Sequence, residues 1–207
     1  MLGFLFTSAA LAAAIISTTS AQNFPNQSAP YNLKLSSAET ALDGKFLWAC
    51  HSGAAMEQLC ISDTPSDLTG IFFLNTTSIG STVSGFLTGA LVYNLPYGDE
   101  DDKQIASSAL RFAWNPVSNI IFNYFQPGDE GSEIASVGLD ADNKLFVPAY
   151  VDDVITPNGP EIFYQWQVCH TQFMGYKYQA LVWLTVGNPL DGDCQAVNVT
   201  AVPASGA

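Results

Sequence analysis

Basic residues are scarce in this sequence. Its 207 residues include 6 Lys and Arg against 19 Asp and Glu, which gives a formal net charge of −13. A protein that follows nucleic-acid phosphates or docks on an anionic membrane needs clustered Lys and Arg side chains. Six such residues spread along the chain cannot form that patch. The composition therefore argues against nucleic acid and anionic membrane surfaces as partners.

Long apolar runs are also missing, except at the start of the chain. Residues 1–21 are uncharged and largely apolar, and they end in a polar stretch with the small residues Thr19 and Ala21. This pattern is typical of a signal peptide cleaved after Ala21. Polar residues interrupt the run well short of the ~20 apolar residues that a membrane span requires. We therefore expect a secreted protein, extracellular or held in a cell wall, with no membrane attachment after cleavage.

Three N-x-[ST] sequons agree with that compartment. They predict N-glycosylation at Asn26, Asn75 and Asn198, a modification made in the secretory pathway.

The four cysteines form an even set, as a disulfide framework requires. Four cysteines permit three connectivities. We favour Cys50–Cys60 and Cys169–Cys194, because the members of each pair are close in sequence and separated by a turn-like stretch. An alternative is zinc, because each of Cys50-His51 and Cys169-His170 places two possible ligands side by side. Adjacent residues on a strand point to opposite faces, so we expect no metal and two exposed histidines.

Helical periodicity is absent after Ala21, and short alternating apolar segments take its place. Val, Ile, Phe, Tyr and Trp dominate these segments, and Gly, Pro, Asn and Asp separate them. We expect one all-β antiparallel domain of about 10–12 short strands over residues 31–202, after an extended arm at 22–30 and before a tail at 203–207. Its closure should be barrel-like or β-trefoil-like, with a two-sheet sandwich as the alternative. The predicted strands are 31–36, 45–51, 57–62, 71–76, 86–95, 109–114, 120–125, 134–139, 145–150, 162–170, 179–186 and 196–202.

The sequence contains no recognisable catalytic motif. A G-x-S-x-G nucleophile elbow is absent. Acidic residues cluster at 99–102, 129–133, 140–142 and 152–153, so a carboxylate-pair glycosidase is conceivable. We favour solvated turns for these clusters. Asp140 and Asp142 are weak calcium candidates, because their spacing resembles part of a calcium loop without its Gly and distal Glu. We expect no catalytic residues and no cofactor.

Aromatic residues offer the best candidate for a binding surface. Two dense stretches, 163–168 and 176–183, could present rings on which sugars stack. Tyr176 and Tyr178 follow Gly175 and should be exposed, and Trp166 is a third candidate.

Three sequence blocks resemble an uncharacterised family of secreted proteins from filamentous fungi. The blocks are residues 42–55, residues 143–153, and the closing pattern 166–169, 178–183 and 194–197. The last block is also loosely similar to fungal cell-wall proteins. The resemblance implies secretion, a fungal source and a Cys169–Cys194 bridge, but it carries no catalytic residues.

Together these observations predict a secreted, glycosylated, disulfide-stabilised and non-catalytic protein of the fungal cell surface or wall. The alternative is a carbohydrate-binding or effector-like module, and a carboxylate-pair hydrolase is the third choice. Cell-wall glycans or another surface protein would be its partners.

Overall fold

The computed structural model describes residues 24–66, 68–99, 102–128, 134–150, 159–189 and 192–204. These residues form 16 β-strands and no helix. None of them therefore belongs to a helix that could cross a membrane. The strands are β1 Asn26–Gln27, β2 Tyr31–Ser36, β3 Phe46–Gly53, β4 Met56–Ser62, β5 Phe72–Thr76, β6 Ser81–Val83, β7 Phe86–Tyr97, β8 Gln104–Ala113, β9 Ile120–Pro127, β10 Ser136–Leu139, β11 Leu145–Ala149, β12 Glu161–Phe163, β13 Trp166–Phe173, β14 Tyr176–Leu184, β15 Gln195–Ala196 and β16 Asn198–Pro203.

Eight antiparallel strands close into a barrel. Around the ring they run β5, β2, β3, β4, β14, β9, β8 and β7, and the pairing of β7 with β5 completes the circle. β14 enters between β4 and β9, where Ala180 pairs with Cys60 and Val182 pairs with Phe122. Closure leaves these strands without free edges over most of their length, which is the stable solution for a sheet of this size.

The other strands extend the barrel. β16 pairs with β2 along its whole length, and β13 forms a hairpin with β14. β10, β11 and β12 continue the sheet from β7. β1, within the predicted N-terminal arm, pairs with β5.

The predicted all-β, barrel-like fold is confirmed. Each of the twelve predicted strands is present, although the one at 162–170 is divided at residues 164–165 into β12 and β13. β8 begins five positions earlier than predicted. The two-residue strands β1 and β15 and the three-residue β6 were not predicted, because so few residues show no alternation. The eight strands of the ring do not divide into three four-stranded units, so the closure is that of a barrel rather than a trefoil.

Alternation along the strands explains the interior. On β2 and β3, Leu33, Leu35 and Leu47 point inward and are 0–1% exposed. On β9, Ile121 and Phe125 also point into the interior and pack in the same core cluster. Burying such side chains contributes about 1.5–3 kcal/mol each, and it fixes the register of every strand in the ring.

Both predicted disulfides are present, and the described residues contain no free cysteine. Cys50 and Cys60 link β3 to β4, and Cys169 and Cys194 link β13 to the segment before β15. His51 and His170 are exposed. Each of the four cysteine sulfurs is bonded to its disulfide partner, so none of them is available as a zinc ligand. The disulfides are compatible with an extracellular protein.

Candidate functional site

A groove of about 1120 Å³ opens at one mouth of the barrel, and we call it the mouth groove. It lies where β8 ends and β9 begins, with β11, β12 and the end of β14 on its other sides. Its volume is slightly above the usual range of roughly 300–1,000 Å³ for small-molecule sites, and barrel mouths are common places for such sites. The described residues that line it are Phe112, Ala113, Trp114, Ile121, Tyr124, Ile134, Ala135, Ser136, Val147, Pro148, Ala149, Tyr150, Phe163, Gln165, Trp183, Thr185 and Val186.

The described lining of the mouth groove is uncharged and rich in aromatic residues, although the protein as a whole is acidic. None of these described lining residues carries a charge, and six of them are aromatic. The polar side-chain groups of this lining come from one serine, one threonine, one glutamine, two tyrosines and the indole N–H groups of two tryptophans. A charged ligand entering here would lose hydration without gaining a counter-charge, so the groove suits an uncharged and largely apolar molecule.

A cluster of aromatic rings in mutual contact forms one wall of the mouth groove. Phe112 and Trp183 stack with their centroids 6.4 Å apart. Trp166 meets Trp183 edge to face at 4.8 Å and donates a hydrogen bond from Nε1 to the carbonyl oxygen of Leu145 at 2.8 Å. This buried hydrogen bond joins β13 to β11, so the wall is held from behind.

The prediction that Trp166 forms part of a ligand surface is wrong. Its side chain is 0% exposed, because both faces of the first half of β13 are covered. Trp166 therefore supports Trp183 and does not meet solvent or ligand.

Two exposed aromatic residues form the rim. Trp114 follows β8 and is 72% exposed, and Tyr150 follows β11 and is 61% exposed. Large aromatic side chains left this accessible beside an apolar groove are typical of a ligand entrance.

Polar groups occur deeper in the barrel, below the mouth groove. Glu57 on β4 is 6% exposed, and its Oε2 has no hydrogen-bond partner. Burial raises the pKa of Glu57 to about 7. Burial also raises the pKa of Tyr93 to about 12, with the nearby charge of Glu57 as a second cause. The Tyr31 hydroxyl likewise has no partner, and burial raises its pKa.

The predicted exposed tyrosines lie on the outside of the barrel. Tyr176 and Tyr178 have parallel rings with centroids 6.2 Å apart and planes inclined by 8°. The His51 ring meets Tyr176 edge-on at 5.3 Å, and the Tyr178 hydroxyl donates to the His51 carbonyl oxygen at 2.8 Å. We call these three residues the tyrosine shelf. Tyr176 is 36% exposed, so the shelf is a partly open aromatic surface.

Asp140 has a structural role in the turn between β10 and β11. Its Oδ1 accepts hydrogen bonds from the amides of Asp142 and Lys144, and its Oδ2 accepts one from the Tyr164 hydroxyl. Burial opposes the ionisation of Asp140, but these hydrogen bonds and the charge of Lys144 outweigh it and lower the pKa. In Tyr164, burial first and then the bond to Asp140 raise the pKa to about 12. The hydrogen bonds occupy the carboxylate, and no group of three or more potential ligands occurs among the described residues.

The other acidic clusters are only partly within the described chain. Residues 100–101, 129–133 and 151–158 lie outside it, as does the predicted signal peptide at 1–21.

The three sequons differ in accessibility. Asn26 and Asn198 are exposed, whereas Asn75 on β5 is 3% exposed. A glycan on a buried amide would have to displace the strands packed over it. The prediction for Asn75 is therefore corrected, and those for Asn26 and Asn198 stay predictions.

Sequence reasoning missed the mouth groove and Glu57. Trp114 and Tyr150 are the last residues of the predicted strands 109–114 and 145–150. An aromatic residue at the end of a strand is the sequence feature that could have indicated the groove. Glu57 alternates with Leu59 and Ile61, which are apolar, and this pattern already put it on the inward face.

These features define an all-β barrel with two disulfides and a groove at one mouth whose described lining residues carry no charge. The chain belongs to the DUF7907 family, described as a domain of unknown function, whose family model matches residues 28–203. That match agrees with the expected membership of an uncharacterised domain family. No curated protein and no solved structure matches the chain.

Proposed function

We propose that this protein is a non-catalytic binding protein that holds a small, uncharged and largely apolar ligand in the mouth groove. The observation that carries the proposal is the lining itself: the described residues that form it include six aromatic residues and no charged one, and the volume is about 1120 Å³. Such a combination provides apolar burial and a few orienting polar groups, which is how small-molecule sites obtain affinity.

Binding fits the lining better than catalysis does. General acid–base or nucleophilic chemistry needs a titratable group positioned at the reacting atoms. The described lining offers the hydroxyls of Ser136, Thr185, Tyr124 and Tyr150 and the amide of Gln165, but no carboxylate, histidine or lysine. These groups can orient a ligand by hydrogen bonding.

We further propose that the protein acts outside the cell, at the surface or in the wall of a fungus. The disulfides, the uncharged leader sequence at 1–21 and the accessible sequons at Asn26 and Asn198 support this location. Fractionation of cultures tests it, because recovery from the cytosol alone would contradict it.

A fluorescence titration tests the binding site. The uncharged dye N-phenyl-1-naphthylamine brightens when it leaves water for an apolar site, and we expect saturable brightening with the wild-type protein. Trp114→Ala and Tyr150→Ala remove rim contacts, and each should weaken binding about tenfold, because an aromatic contact contributes about 1 kcal/mol beyond its buried area.

The matched control is Ile79→Ala. Ile79 is 93% exposed in the turn between β5 and β6 and does not line the mouth groove, so its truncation should leave the titration unchanged. Absence of saturable brightening, or equal weakening by all three variants, would overturn the proposed site.

The tyrosine shelf supports a second candidate function, glycan binding. Parallel rings in contact with His51 form a surface on which a sugar ring could stack. A glycan array probed with the wild-type protein and with Tyr176→Ala is the test. Signals that persist in the variant, or no signal at all, would remove this candidate without affecting the mouth groove.

A further inference from the structure

Asn123 lies directly below the mouth groove. Asn123 is two residues along β9 from Ile121, and it pairs with Phe112 on the neighbouring strand β8. Both Ile121 and Phe112 line the groove. Directly paired residues of antiparallel strands point to the same face, and two residues span about 7 Å. The Asn123 side chain therefore points into the barrel, one step deeper than the groove wall.

Both polar atoms of this amide lack partners. Asn123 is 0% exposed, and neither Oδ1 nor Nδ2 makes a hydrogen bond. An asparagine amide offers one acceptor and two hydrogens to donate, and buried polar groups in folded proteins are nearly always satisfied. An apolar residue of the same size would fill this position at less cost. The unpaired amide therefore requires a partner that the described residues do not supply.

The polar character continues inward from Asn123. Phe125, two residues further along β9, pairs with Glu57, whose Oε2 is also unpartnered. The Tyr93 hydroxyl lies close enough for the charge of Glu57 to affect its pKa. An anionic group would be repelled by ionised Glu57, and a cationic one would be desolvated beside Phe112.

We propose that the ligand of the mouth groove carries an uncharged hydroxyl-bearing end that passes Phe112 and hydrogen-bonds to the Asn123 amide. A hydroxyl both donates and accepts, so one group can satisfy Oδ1 and Nδ2 together. The apolar body of the ligand stays against the aromatic lining. This inference rests on the proposed function, and it narrows the ligand class to apolar alcohols and phenols.

Equilibrium dialysis with naphthalene and 2-naphthol tests the inference, because the two probes differ only by a hydroxyl. The measured quantity is the ratio of their dissociation constants, naphthalene over 2-naphthol. In Asn123→Leu, which keeps the side-chain volume, this ratio should fall about tenfold, as expected for a lost hydrogen bond in a buried site. Hydration of the free probes cancels when the ratios of two variants are compared.

The control is Asn188→Leu, at an exposed position, where the ratio should equal that of the wild type. If Asn123→Leu does not fold, Asn123→Ala gives the same comparison. Binding of both probes with the same ratio in wild type and variant would overturn this inference and leave the proposed function standing. Binding of neither probe to the wild-type protein would overturn both.

Discussion

Replacing Glu57 with glutamine should remove a pH dependence from the stability of the barrel. Glu57 faces the interior opposite Phe125, and its Oε2 has no partner, so the ionised carboxylate is poorly solvated. Burial raises its pKa from 4.5 to about 7. The folded protein therefore holds this proton more tightly than the unfolded chain does. Glutamine imitates the protonated side chain at every pH.

The sign and size of the effect follow from this difference in pKa. The free energy of unfolding is highest below pH 4.5, falls as the pH rises to about 7, and is constant above that with respect to this group. A difference of about 2.5 pKa units corresponds to about 3 kcal/mol. Of this, about 2.5 kcal/mol is lost between pH 5 and pH 8, a range that avoids the isoelectric point.

Urea unfolding followed by tryptophan fluorescence measures this directly. Two of the four tryptophans, Trp166 and Trp183, are buried and should report on unfolding. Wild type, Glu57→Gln and the exposed-site control Glu161→Gln are compared at constant ionic strength at several values of pH from 5 to 8. Glu161→Gln corrects for the loss of one negative charge from an acidic protein.

We expect Glu57→Gln to be about 1 kcal/mol more stable than wild type at pH 5 and about 3 kcal/mol more stable at pH 8. Glu161→Gln should follow the wild-type profile throughout. A stability difference between wild type and Glu57→Gln that is constant over the whole pH range would refute the reasoning, because it would show that the proton on Glu57 is not linked to folding.

Two further predictions concern close packing and glycans. Gly89→Ala places a Cβ against the backbone carbonyl of Asn75 and should lower the free energy of unfolding by about 2 kcal/mol or more, whereas Gly192→Ala, with open space around it, should be nearly neutral; equal effects in urea titrations would contradict this. Removing the sequons at Asn26 and Asn198 should each lower the mass of the secreted protein by one glycan. Asn75→Gln should leave the glycan mass unchanged, and a mass loss in that variant would show that the amide is reached before the strands close over it.

The sequence predicts the strands better than it predicts which faces they bury. Alternation placed Trp166 and Val168 on one face of a strand, but it cannot tell whether another element covers that face. Here β11 approaches closely enough for Leu145 to accept the Trp166 hydrogen bond. Propensity and period are local properties, whereas burial depends on contacts between distant segments.

The mouth groove was beyond sequence reasoning for the same reason. Its wall joins Phe112 on β8 to Trp183 on β14, about seventy positions apart in the chain. Tyr176 and Tyr178, in contrast, could be predicted, because they follow a turn glycine and share one face of a single strand. Their contact with His51 could not be foreseen, since it depends on how β14 lies against the β3–β4 hairpin.

The late position of β14 in the chain affects how this protein is made. Glu57 on β4 pairs directly with Phe125 on β9, and beyond that pair β14 lies between the two strands. This side of the ring therefore stays incomplete until residue 184 has been synthesised. Until then the parts of β4 and β9 that later pair with β14 present unpaired backbone groups to other nascent chains. We therefore expect truncation before β14 to yield an aggregating product rather than a smaller folded domain.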